Sequence, residues 1–97
     1  MRRDQALEIL SAHADELRRK FGVSSLRVFG SVARDEAGPE SDIDILVSFS
    51  ATPTFRLFMQ LRFRLEEILG GRVDLVTESG LRERVRPFVE QDAIAVA

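Results

Sequence analysis

Cysteine is absent from the 97 residues, and histidine and lysine each occur once, at His13 and Lys20. Without cysteine there is no disulfide, no thiolate metal ligand and no thiol nucleophile, which fits a reducing compartment. The cytoplasm is the expected location. Long apolar runs are missing too. No segment approaches the roughly 18 residues that span a bilayer, and Met1-Arg2-Arg3-Asp4 leads into mixed charge rather than an apolar signal core. Neither export nor membrane insertion is expected. Internal repeats, low-complexity tracts and flexible linkers are lacking, so the chain reads as one domain spanning residues 1–97. Its 14 basic and 16 acidic residues nearly cancel, to a formal charge of -2, and give no overall electrostatic case for nucleic acid. The 44% of residues that are apolar supply enough material for a core.

Those apolar residues are patterned. Leu7, Leu10, Ala14, Leu17 and Phe21 recur at spacings of three and four, which predicts one amphipathic helix from Asp4 to Lys20, ended by Gly22. A short strand over Leu26–Phe29 stops at Gly30-Ser31, and a helical turn follows from Val32 to Asp35. Gly38-Pro39 marks a loop, Asp42 to Phe49 a second strand, and Thr52-Pro53 the cap and first position of a helix reaching Leu69. Gly70-Gly71 breaks that helix. Arg72 to Thr77 then reads as a third strand, and a last helical region from Ser79 is interrupted by Pro87. Residues 93–96 suit either a frayed helix end or an extra strand. Alternating elements of this kind predict an α/β (α+β) fold, a small mixed sheet of three or four strands with helices packed on one face.

Aspartate is disfavoured in strands, yet the second strand carries Asp42 and Asp44 one residue apart and the third carries Asp74 between Val73 and Leu75. Strand alternation sends Asp42 and Asp44 to one side and Ile43 and Ile45 to the other. If the strands are neighbours, Asp74 lines up beside the pair. Three clustered carboxylates repel one another, and a divalent cation removes that penalty. Oxygen-only donors, with His13 remote, favour Mg²⁺ or Mn²⁺ over Zn²⁺, while an EF-hand's glycine and terminal glutamate are absent. The plainer alternative makes Asp42 a turn cap and the other two solvated edge residues.

Gly30-Ser31 stands where a strand passes into a helical turn, a place where backbone N–H groups attract phosphate. Gly30 permits close backbone approach, Ser31 adds a hydroxyl donor, and Arg34 offers a planar cation to an anion. By itself a Gly-Ser pair is an ordinary turn. Beside three acids it suggests phosphoryl or nucleotidyl transfer, in which two metal ions hold both reacting oxygens.

The string GSVARDEAGPESDIDILVSF, with Asp74 following in an apolar strand, resembles the minimal nucleotidyltransferase (MNT) family of the DNA polymerase beta-like superfamily, over nearly the whole chain. The resemblance implies that Gly30 and Ser31 contact the triphosphate of ATP, that Asp42 and Asp44 bind two Mg²⁺ ions, and that Asp74 binds the one beside the attacking hydroxyl and helps to deprotonate it. It also implies a helical HEPN toxin as partner, receiving AMP on a tyrosine, with this chain as antitoxin. Tyrosine self-modification is excluded, because the chain has no tyrosine. The alternatives are an antitoxin that neutralises by binding alone and transfer to a small molecule. Association has a separate hint: Phe55, Met59 and Phe63 form one stripe on the long helix while Phe58, Leu61, Leu65, Ile68 and Leu69 form another. A partner interface and a deeply enclosed helix both fit that pattern. His13 reads as a surface or satisfied core residue, and Arg82 with Arg86 as a solvated helix face.

Overall fold

The computed structural model describes residues 1–83 and 86–96. Two helices, α1 (Arg3–Ala12) and α2 (Ala14–Phe21), precede strand β1 (Val23–Phe29), the short helix α3 (Gly30–Ala33) and strand β2 (Ile43–Phe49). Helix α4 (Phe55–Leu69), strand β3 (Val73–Thr77), helix α5 (Arg86–Asp92) and the two-residue strand β4 (Ile94–Ala95) complete the order. The sheet runs β3-β2-β1-β4, with β2 and β3 parallel and β1 antiparallel to both of its neighbours. The expected mixed sheet is therefore present with four strands, and residues 94–95 form its edge instead of a frayed helix.

Alternation divides the sheet. Leu26 and Val28 of β1, Ile43, Ile45 and Val47 of β2, and Val73 and Leu75 of β3 are buried in one core with Leu10, Leu17, Leu61 and Leu65 of the long helices. Each such leucine contributes about 1.5–3 kcal/mol by leaving water. The opposite face carries Asp44, Leu46 and Ser48 along β2. Leu46 is buried there too, outside that core.

Several boundaries differ from the sequence pattern: β1 starts at Val23 and not Leu26, α3 covers Gly30–Ala33 and not Val32–Asp35, and β2 starts at Ile43, which leaves Asp42 outside the strand. The first helix is two helices, because the backbone bends at His13, whose Nδ1 lies 2.9 Å from the Ile9 carbonyl oxygen that a continuing helix would use alone. His13 is thus a satisfied structural residue. Helix α4 begins at Phe55 because the Thr54 hydroxyl, and not that of Thr52, accepts the Leu57 N–H at 3.1 Å. Pro87 opens α5 as its second residue, where a missing N–H costs nothing, so it starts the helix that it was expected to interrupt. Residues 79–83 are turn and bend, and 84–85 lie outside the described residues. Of the two stripes on α4, Leu61, Leu65 and Leu69 are buried, whereas Phe55 and Phe63 are 79% and 60% exposed. The enclosed-helix alternative is overturned. Among the described residues no helix is long and apolar enough to cross a membrane.

Candidate active site

The parallel register pairs Asp44 of β2 with Asp74 of β3, which sets the two carboxylates side by side on the face away from the core. Asp44 also faces the end of β1, through its pairing with Phe29, and Gly30 follows at once. Gly30 has a φ of +72°, and a Cβ there would stand 2.1 Å from an Asp44 carboxylate oxygen. The backbone conformation strains any L side chain there, and the space a side chain would need is filled by the Asp44 carboxylate. Strand end, helical turn and acid are therefore interlocked, and Ser31 is carried to the same corner.

Burial pushes the Asp44 carboxyl up to about 6, the Asp74 and Asp42 charges push in the same direction, and a hydrogen bond with Asp74 adds to them. Arg34 opposes the shift. It does so while committed elsewhere, donating from Nε to Glu36 at 3.2 Å and from Nη1 to Asp92 of α5 at 2.7 Å.

Asp42 lies one residue before β2, and its carboxylate pairs with Arg72 Nε at 3.2 Å. Among the described residues no group of three acidic, histidine or cysteine side chains is gathered closely enough to hold a metal. The chemistry nevertheless fits a hard divalent cation: the donors are all oxygen, and the central one is destabilised by its own neighbours. The Arg72 and Asp42 side chains are 78% and 48% exposed, so their pair is loosely held and Asp42 is readily released.

Two cavities frame the acids. One of about 330 Å³ is lined by Asp42, Asp74, Phe58, Arg62, Val73 and Leu75, between α4 and the β3 edge. A larger one of about 600 Å³ lies at the opposite end of the sheet, lined among others by Ser48, Glu78 and Arg86. There Glu78 accepts from the Ser48 hydroxyl and pairs with Arg27 at 3.4 Å and Arg86 at 4.0 Å. Arg86 is spent in this network and on Glu90, and is not free to meet a nucleotide. Sequence reasoning missed Arg72, Arg62 and the Arg34–Asp92 tie. The only local signal was a basic residue directly before the third strand.

The chain belongs to the nucleotidyltransferase domain family, which it matches over residues 10–96. It is 46% identical over 88 residues to the protein adenylyltransferase MntA of Thermococcus cleftensis, covering 91% of this chain and 89% of that protein. A solved minimal nucleotidyltransferase superposes with a TM-score of 0.80 at 40% identity, covering 97% of this chain and 95% of the other. The MNT antitoxin complexed with a tri-AMPylated HEPN toxin from Shewanella oneidensis gives a TM-score of 0.68 at 20% identity, over 94% and 71% of the two chains, which speaks to the fold alone.

Proposed function

We propose that this chain is an Mg²⁺-dependent adenylyltransferase that moves AMP from ATP to a tyrosine hydroxyl of a HEPN toxin and so acts as its antitoxin. The observation that carries the reading is the pairing of Asp44 with Asp74, closed on the other side by Gly30. The 46% identical relative named as a protein adenylyltransferase supports it, as does the AMPylated toxin held by a protein of the same fold.

In this reading Gly30 and Ser31 receive the triphosphate, and Arg34 steadies the anion once it gives up its pairing with Glu36 or Asp92. Asp42, Asp44 and Asp74 hold the two divalent ions, Mg²⁺ or Mn²⁺, whose positive charge offsets charge developing on the transferred phosphoryl group. Asp74, on the edge strand, takes the proton of the attacking hydroxyl.

A second reading, neutralisation by binding alone, is favoured by the engagement of Asp42 with Arg72 and by the lack of a gathered three-acid cluster among the described residues. The intact mass of the neighbouring gene's product, after incubation with this protein, ATP and Mg²⁺, separates the two. A gain of whole AMP units that disappears with Asp44→Asn establishes transfer. A stable complex with no gain in mass establishes neutralisation by binding.

A further inference from the structure

The turn that follows β1 is a local unit closed by its own backbone: the Arg34 N–H donates to the Gly30 carbonyl at 3.1 Å and the Glu36 N–H to the Ser31 carbonyl at 2.8 Å. Glu36 also accepts from Arg34 Nε at 3.2 Å, so it travels with the turn. Asp92 does not. It ends α5, 58 residues along the chain from Arg34, and accepts from Arg34 Nη1 at 2.7 Å. Among the described residues this charge-assisted bond is the one side-chain tie between the turn and the C-terminal arm, residues 86–96.

Beyond that tie the arm is lightly held. Asp92 is followed by Ala93 and then by β4, a strand of two residues that pairs with Arg27 and Val28 of β1. One further backbone bond runs from the Val96 N–H to the Leu26 carbonyl at 2.9 Å. So short an edge strand has little stability of its own and opens easily. The Asp92 side chain is 27% exposed, and Arg34 is its only partner among the described residues. Taking Arg34 away therefore leaves a largely buried carboxylate with no counter-charge, a costly state that ends when the carboxylate moves out to water.

We propose that Asp92 and a bound triphosphate compete for Arg34, so that nucleotide binding unlatches the C-terminal arm and the closed latch weakens nucleotide binding. The coupling rests on the transfer reading above, which sets the triphosphate at Gly30-Ser31. There a polyanion meets the same guanidinium that the single charge of Asp92 holds, and the displaced carboxylate is further repelled by the phosphates. The two effects are one coupling free energy seen from its two ends. Release of the arm bares the outer edge of β1 at Arg27 and Val28, just before Phe29 and Gly30, and so ties the exposure of that edge to the occupancy of the site.

Hydrogen–deuterium exchange of the full chain, with Mg²⁺ and a non-hydrolysable ATP analogue, tripolyphosphate or adenosine as probe, tests the latch, together with calorimetry of the analogue. The analogue and tripolyphosphate should speed exchange over residues 93–96 severalfold and leave β2 unaltered, and adenosine, which lacks the anion, should not speed it. Asp92→Asn should bind the analogue up to about fivefold more tightly, the scale of an ion pair near the surface, and its arm should exchange quickly with or without nucleotide. A merely structural tie would loosen the arm in that variant and leave affinity unchanged, which would overturn the competition. Arm release by the analogue in a protein that transfers no AMP to its partner would uphold the latch and overturn the transfer reading. AMP transfer with no change in arm exchange, and with equal analogue affinity in wild type and Asp92→Asn, would overturn the latch and uphold transfer.

Discussion

The two ends of one sheet face treat charge in opposite ways. At one end Glu78 is surrounded by Ser48, Arg27 and Arg86, so its charge is compensated on three sides. At the other end, on the same strand β2, Asp44 has acids for neighbours, and Arg34, the cation that opposes them, is committed to Glu36 and Asp92. The contrast separates a charge kept for architecture from charges kept for a ligand, since an uncompensated acid is costly until a cation arrives. The end with the larger cavity is the one whose polar groups are already satisfied.

The sharpest way to break that contrast is to remove the acids. Asp44→Asn or Asp74→Asn should cut AMP transfer by about a thousandfold or more, because the metal contribution is several kcal/mol and each 1.4 kcal/mol is tenfold in rate. Single-turnover assays with the partner protein check this. Next in size is Gly30→Ala, which imposes a left-handed φ on alanine and drives a methyl into Asp44. A loss of at least about 2 kcal/mol is expected from the strain alone, readable by urea unfolding.

Opposite signs then distinguish the two ends. Glu78→Gln should destabilise by about 1 kcal/mol through weakened ion pairs and hydrogen bonds. Asp44→Asn should stabilise the metal-free protein at pH 8. The sign follows from linkage: the folded Asp44 carboxyl sits near 6 against an ordinary 3.8, so between those values the folded state holds a proton that the unfolded state has lost. Stability in the absence of metal therefore falls as pH rises from about 4 to about 6 and stays lower above, and Asp44→Asn should flatten that fall in thermal melts across pH. The smallest effect concerns Asp42. Arg72→Gln frees it, and Mg²⁺ should bind up to about fivefold more tightly by calorimetry, the most an exposed ion pair of up to 1 kcal/mol allows.

Much of this site was legible because aspartates at Asp44 and Asp74 contradict strand propensity, and residues that defy local preference are held by function, whereas Asp42, read in the same strand, lies one residue before it. The alternation of Ile43 and Ile45 with Asp44 fixed which side each faced. The strand neighbours of Gly30 were legible only in outline; that an acid oxygen fills the place of its missing Cβ depends on pairing across strands. Arg62 and Arg72 were silent in the sequence for a similar reason. Their meaning comes from the crossover that lays α4 along β3, and no spacing along the chain encodes it. The break at His13 escaped periodicity because an imidazole competing for one carbonyl leaves the apolar pattern undisturbed.

The interlock of Gly30 with Asp44 has an evolutionary consequence. Because a carboxylate oxygen stands where a side chain would otherwise be, neither position can drift alone: enlarging the glycine expels the acid, and losing the acid leaves a hole beside the turn. A descendant that abandons chemistry for neutralisation by contact would lose the acid first. The glycine would then be held only by its left-handed backbone, which asparagine also tolerates, so a paired change at these two positions would be the trace of an enzyme turned into a binding protein.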